Sequence, residues 1–179
     1  KTPDKFTVIF VARFVEKKGS DILLKASRGI KGLKVILVGG GPMKAKLMDL
    51  AKENGLDARI LDRVHKKPLG DVARRASVYV LPTHHEGGSP KTILEAKHRL
   101  LYKASLPCFG VDEVFQDGVE GIKVRVGDVE GLRKAILTIK NNPEMAKALG
   151  KNGRKRVLKT YSVERAVERE LAILRALDL

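Results

Sequence analysis

Six short apolar runs, separated by amphipathic stretches, organise the first 125 residues of the chain. The clearest strand candidates are Phe6–Val11, Leu33–Val38, Ala58–Leu61 and Val78–Leu81, with weaker ones at Leu106–Phe109 and Ile122–Val126. Apolar residues recur at helical spacing between the runs, in the stripes Met43, Leu47, Leu50, Ala51 and Leu132, Ala135, Ile136, Ile139. Continuous apolar strands that alternate with helices indicate a parallel sheet covered on both faces. The pattern therefore predicts a doubly wound, Rossmann-like α/β fold with a mainly parallel sheet of about six strands.

The last part of the chain, from Pro143 onward, is predicted to be helical. Ser162 is a plausible N-cap for a final helix, whose apolar positions are Val163, Val167, Leu171 and Leu174. The segment 150–159 is strongly basic. No repeat or flexible linker interrupts the sequence, so we expect a single domain over residues 1–179.

Composition places the chain among water-soluble globular domains. Its 179 residues are 43% hydrophobic, and no apolar run approaches the roughly 20 residues that a membrane-spanning helix needs. The single cysteine, Cys108, cannot form an internal disulfide, which fits a reducing compartment such as the cytoplasm. Because the sequence begins with Lys1 rather than Met, we expect it to be part of a longer protein.

The net charge of +15 leaves two interpretations open. It is typical either of a solvated, lysine-rich surface like those of thermophiles or of a protein that attracts anions. Anionic partners include phosphorylated ligands, an anionic membrane surface and nucleic acid. We do not expect specific nucleic-acid binding, because no aromatic residue for base stacking is interleaved with the basic segment 150–159.

Ligands of such sheets bind beyond the carboxyl ends of the strands, and the first two loops there contain candidate residues. Arg13 and Lys18 follow the first strand in a loop that could bring both cations to one anion. The second strand leads into Gly39-Gly40-Gly41-Pro42, where the glycines serve either close packing or a ligand.

The loop after the fourth strand, residues 82–90, is the most informative. Ser89 and Pro90 are typical of a helix start, and Gly87 and Gly88 would let a ligand approach the backbone. The following helix would present free amides, including those of Lys91 and Thr92, together with its positive dipole end, to a phosphate.

Two carboxylates flank this helix start. Glu86 lies within reach of a sugar attached to the phosphate, and Glu95 could accept hydrogen bonds from a ribose diol. Both could equally be ordinary solvated acids. Adjacent residues leaving a strand point apart, so we do not expect His84, His85 and Glu86 to bind a metal.

The order and spacing of these segments resemble the C-terminal, donor-binding domain of retaining GT-B glycosyltransferases of the glycogen-synthase-like and mannosyltransferase-like group. The resemblance covers nearly the whole chain. The segments that carry it are 11–19, 35–42, 76–82, Glu86 with Glu95, 117–121, 127–128 and 161–162.

That resemblance implies a nucleoside-diphosphate sugar, linked to UDP, GDP or ADP, as donor. Arg13 and Lys18 would bind its pyrophosphate, and Ile60 and Leu61 would border the base. The other implied contacts are those already described for Glu86, Gly87, Gly88, Lys91, Thr92 and Glu95. It further implies transfer with retention, without a cofactor or divalent metal, and a separate N-terminal domain that binds the acceptor.

The sequence departs from the family pattern at two places. Eight residues separate Glu86 from Glu95 where the family usually has seven, and segment 97–104 replaces a stretch of small residues and a glycine-proline turn. A non-catalytic nucleotide-binding or regulatory module on the same fold therefore remains the alternative to a transferase.

Overall fold

Five parallel strands form the centre of the molecule. The computed structural model describes residues 5–62, 72, 75–84, 105–107, 116–161, 165 and 167. The strands are β1 (Phe6–Val11), β2 (Leu33–Val38), β3 (Asp57–Leu61), β4 (Val78–Leu81) and β5 (Ser105–Pro107). All four neighbouring pairs run parallel. The predicted α/β fold with a parallel sheet is confirmed.

The order of the strands creates a crevice near the middle of the sheet. Along the sheet they lie in the order β3-β2-β1-β4-β5. From β1 the chain proceeds to one edge through β2 and β3, and then crosses to the other side of β1 to form β4 and β5. In such a sheet the loops that leave β1 and β4 diverge, and the topological switch point between them is the usual place for a ligand.

Four helices have both ends within the described residues: α1 (Ser20–Ser27), α2 (Lys44–Glu53), α3 (Val129–Asn141) and α4 (Pro143–Thr160). The start of α3 is fixed by Asp128, whose Oδ1 accepts a hydrogen bond from the backbone amide of Gly131 at 2.7 Å. The four apolar positions predicted for α3 are the four buried residues of that helix. In the α2 stripe, Met43, Leu47 and Ala51 are buried and Leu50 is half-buried.

The core lies around β1, β2 and β4. Val8, Ile9 and Phe10 are consecutive and completely buried, so β1 is covered on both faces. The rings of Phe10 and Phe14 stack with their centroids 6.4 Å apart. Burial of successive residues explains why these strands are continuous apolar runs rather than alternating ones.

The prediction of a sixth strand over Ile122–Val126 is wrong. Residues 122–125 have no strand structure. The side chain of Asp117 closes the preceding turn, because its Oδ1 accepts hydrogen bonds from the amides of Gly118 (3.0 Å) and Lys123 (2.7 Å). Val124 is buried in the core. The apolar run therefore belongs to a loop that packs against the sheet, and the amide of Lys123 is hydrogen-bonded within that loop.

The boundaries of the other weak strand are shifted. β5 begins at Ser105, one residue before the predicted start. Residues 108 and 109, the end of the predicted strand, lie outside the described part of the chain.

The described residues from Pro143 onward are helical except for Tyr161, which ends α4. Pro143 occupies the first turn of α4, which continues to Thr160. Arg165 and Val167 are also helical, and Val167 is exposed. The predicted cap Ser162 and the apolar positions 163, 171 and 174 lie outside the described residues. No helix in the described ranges is both long and apolar enough to cross a bilayer.

Candidate nucleotide site at the carboxyl edge of the sheet

The loops after β1 and β2 are joined where their strands end, at the carboxyl edge of the sheet. The amide of Phe14 donates to the carbonyl of Gly40 at 2.9 Å, and the amide of Met43 donates to the carbonyl of Phe14 at 3.1 Å. Phe14 is itself completely buried. These bonds fix the chain directly after Arg13, so the backbone of this cation is held at the edge of the crevice.

The loop after β4 is joined to the same β1 loop from the other side. The carbonyl of Lys17 accepts two hydrogen bonds, one from Oγ1 of Thr83 at 3.0 Å and one from the amide of His84 at 2.8 Å. Thr83 is completely buried. The β1 loop therefore bridges the loops after β2 and β4, and it does so at the topological switch point.

Two glycines make these close approaches sterically possible. Gly19 has a φ of +66°, and a Cβ atom placed there would overlap the carbonyl oxygen of Pro82. A Cβ atom on Gly39 would overlap the carbonyl oxygen of Ala12. Of the two interpretations of the glycine-rich turn, close packing is the one that these contacts support for Gly39.

The two predicted phosphate ligands lie on this shared loop. Arg13 is exposed, whereas Lys18 is half-buried and ends a short 3-10 turn that begins at Glu16. Helix α1 starts two residues later, and its N-cap Gly19 offers no side chain to the first amides. A cationic side chain thus precedes a helix N-terminus, an arrangement that favours anions. Convergence of the Arg13 and Lys18 side chains on one anion stays a prediction.

Ile60 and Leu61 end β3 at the same edge. Both are half-buried, so part of each side chain faces solvent. The carbonyl of Leu61 accepts a hydrogen bond from the amide of Gly39 at 3.0 Å. Beyond them, Lys44 at the start of α2 forms an ion pair with Asp62. The structure therefore places the residues predicted to border the base beside the glycine turn, on the β2 side of the crevice.

The remaining predicted site residues lie outside the described part of the chain. They are Glu86, Gly87, Gly88, Lys91, Thr92 and Glu95. The last described residue before them, His84, is the one bonded to Lys17. Their roles, and the expectation that His85 and Glu86 bind no metal, remain predictions.

The structural role of Thr83 and His84 was not predicted from the sequence, although both belong to the loop singled out after the fourth strand. They tie this loop to the β1 loop through the carbonyl of Lys17. The sequence does contain one signal for these residues. They are polar and follow directly after a buried strand, at the edge of the sheet where ligands bind.

The turn over residues 116–121 is anchored to α4. Glu120 is 3% exposed, and its Oε1 accepts from Nη1 of Arg156 on α4 at 3.2 Å. Nδ2 of Asn152, one turn earlier on the same helix, donates to the carbonyl of Val119 at 2.9 Å. This turn, one of the segments that carry the family resemblance, is therefore held by helix α4.

Residues 1–156 of the chain match the family described as glycosyl transferases group 1. The chain belongs to this family. A relative of this glycosyl transferases group 1 domain, an uncharacterized glycosyltransferase of Methanocaldococcus jannaschii, is 29% identical over 160 residues, which cover 89% of this chain and 45% of that protein.

Solved structures of similar proteins share the fold. Sucrose-phosphate synthase from Thermosynechococcus elongatus superposes with a TM-score of 0.86 at 25% identity, covering 97% of this chain and 46% of that one. HepE of Anabaena, in complex with UDP-glucose, has a TM-score of 0.85 at 19% identity and covers 97% of this chain and 49% of that one. The chain spans about half the length of these proteins.

Proposed function

We propose that this chain is the donor-binding domain of a glycosyltransferase and that it binds a nucleoside-diphosphate sugar in the crevice between β1 and β4. The observation that carries this proposal is the position of Arg13 and Lys18 on a loop that is hydrogen-bonded to both neighbouring loops. In our account the acceptor is held by a further domain of the same protein.

The geometry supports binding of the diphosphate at the β1 loop. A pyrophosphate carries negative charge and many acceptor oxygens, so it prefers guanidinium, ammonium and free backbone amides. The β1 loop supplies Arg13, Lys18 and the uncapped start of α1 within eight residues. Its backbone is fixed on both sides, so little ordering is required on binding.

The base and the sugar occupy opposite sides of the diphosphate in this proposal. The base lies toward the half-exposed Ile60 and Leu61, where an apolar edge can cover a planar ring. The sugar lies toward the segment after His84, where Glu86 orients it and Glu95 holds the ribose. HepE, a protein of the same fold, has been crystallised with UDP-glucose, which supports a nucleotide sugar as the ligand class.

The chemistry proposed for the complete enzyme is transfer with retention of configuration. The C1–O bond to the diphosphate breaks while the acceptor hydroxyl oxygen bonds to C1 from the same face. The departing diphosphate carries the developing negative charge, and its oxygen accepts the proton of the acceptor hydroxyl. Arg13, Lys18 and helix N-termini would stabilise that charge without a bound metal. Glu86 has a positioning role in this scheme and forms no covalent intermediate.

Isothermal titration of the chain with UDP, GDP and ADP tests the proposal. A charged hydrogen bond to phosphate contributes about 1.5–3 kcal/mol, so Arg13→Ala and Lys18→Ala are each expected to weaken binding roughly tenfold to a hundredfold. The preferred base is the nucleotide with the highest affinity in this panel.

Matched controls exist at the opposite edge of the sheet. Arg28 and Lys31 are exposed and lie between α1 and the start of β2. Arg28→Ala and Lys31→Ala remove the same charges, and we expect them to leave the affinity unchanged. Equal effects at both edges would show that only net charge matters. Binding of nucleotide without any transfer by the complete protein would instead favour the non-catalytic module.

A further inference from the structure

Helix α4 presents one strongly basic face to solvent. Its 18 residues include Lys147, Lys151, Arg154, Lys155, Arg156 and Lys159 but a single acid, Glu144. Four of these lysines are spaced by four residues, so they follow one another along one side of the helix. We call Lys147, Lys151, Lys155 and Lys159 the lysine face.

The lysine face is opposite the side that packs on the protein. Leu149, Gly150, Gly153 and Val157 are buried, whereas all four lysines are exposed. Lys147 lies 4.0 Å from Glu144. Within the described residues, Lys151, Lys155 and Lys159 form no ion pair. Among the described residues, these three charges thus have no role in an ion pair that holds the fold together.

An apolar side chain lies among these cations. Leu158 is 47% exposed, and helical geometry places it between the positions of Lys147 and Lys151 when the helix is viewed along its axis. α4 contains no aromatic residue that could stack on a base. Cations that surround an exposed leucine fit a surface with anionic headgroups above an apolar layer better than they fit nucleic acid.

We propose that the lysine face of α4 binds the chain to an anionic lipid bilayer. The lysines would lie at the level of the headgroups, and Leu158 would enter the interface between them. This interaction is separate from the proposed donor site, since Arg13 and Lys18 belong to the loop between β1 and α1. It would place a donor-binding domain beside a membrane.

Flotation with phosphatidylcholine vesicles that contain about 30% phosphatidylglycerol tests this proposal, with pure phosphatidylcholine vesicles as the uncharged reference. Each lysine near such a surface is expected to strengthen partitioning about fivefold, so Lys151→Gln, Lys155→Gln and Lys159→Gln together should weaken it about a hundredfold. Leu158→Ser should weaken it by about threefold to tenfold. Raising the salt from about 50 to 200 mM should release most of the wild-type chain.

The control variant removes three lysine charges from other parts of the chain. Lys31, Lys46 and Lys52 are exposed and lie outside α4, and changing all three to Gln should reduce vesicle binding only a few-fold. Thermal melting of both triple variants verifies that they are folded. The proposal is overturned by equal losses in the two triple variants or by no binding of anionic vesicles. It is also overturned if the α4 triple variant loses salt-resistant RNA binding while it keeps vesicle binding.

Discussion

Replacing Gly19 with alanine should separate two of the loops that form the candidate site. Gly19 has a φ of +66°, and an added Cβ atom would overlap the carbonyl oxygen of Pro82. The left-handed conformation alone costs an alanine about 1 kcal/mol. Relief of the overlap requires the β1 loop to move away from β4.

That movement would break the hydrogen bonds that join the two loops. The carbonyl of Lys17 accepts from Thr83 and from His84, and each bond contributes about 1 kcal/mol. The sum predicts a loss of about 3 kcal/mol in the free energy of unfolding for Gly19→Ala. Because Lys18 lies between these contacts, we expect UDP affinity to fall at least tenfold as well.

Gly32→Ala is the matched control. Gly32 has nearly the same φ, +69°, and a Cβ atom there would have no heavy atom within 4 Å. Gly32→Ala should therefore lower the free energy of unfolding only by the conformational cost of about 1 kcal/mol, with unchanged UDP affinity. Urea denaturation of the three proteins gives the unfolding free energies, and titration gives the affinities. Equal losses for the two variants would refute the argument that the approach of Gly19 to Pro82 holds the loops together.

Three further predictions concern other parts of the molecule. Arg156→Gln should lower the unfolding free energy by about 2 kcal/mol, because it removes the cation whose Nη1 lies 3.2 Å from the buried carboxylate of Glu120. Adding Glu120→Gln should restore part of this loss, and strict additivity in denaturation would contradict a specific pair. The hydroxyl of Ser20 is buried and has no hydrogen-bond partner in the structure as described. Ser20→Ala should therefore raise the unfolding free energy by about 1 kcal/mol, whereas a lower melting temperature would show that the hydroxyl is needed. The chain by itself should transfer no sugar, because transfer requires donor and acceptor in one closed cleft; robust donor-dependent glycosylation by the purified chain would disprove this.

The regular elements of the sheet could be predicted from the sequence because their burial requires a recognisable pattern of apolar residues. β1, β2 and β4 are covered on both faces, so they are continuous apolar runs, and the buried stripe of α3 follows the helical period. Ile122–Val126 has a similar run but is no strand. The sequence does not reveal that Asp117 binds the amide of Lys123 and turns the chain into a loop. A short apolar run therefore indicates only that the segment is buried. Its hydrogen bonds decide whether the backbone forms a strand or a loop.

The candidate site could be predicted in part for the same reason. Arg13 and Lys18 follow a clear strand, so their place at the carboxyl edge follows from the fold. The joining of three loops through Lys17, Thr83 and Gly40 could not be predicted, because it depends on contacts between residues that are far apart in the sequence. The role of Gly19 likewise depends on Pro82, which is 63 residues away.

Donor binding at the β1 loop is tested most directly by a crystal structure of the chain soaked with UDP. We expect the diphosphate to lie over the β1 loop, with the Arg13 guanidinium and the Lys18 ammonium about 2.7–2.9 Å from its oxygens, and with the uracil beside Ile60 and Leu61. A diphosphate bound away from the β1 loop, for example along α4, with Arg13 and Lys18 facing solvent, would contradict it.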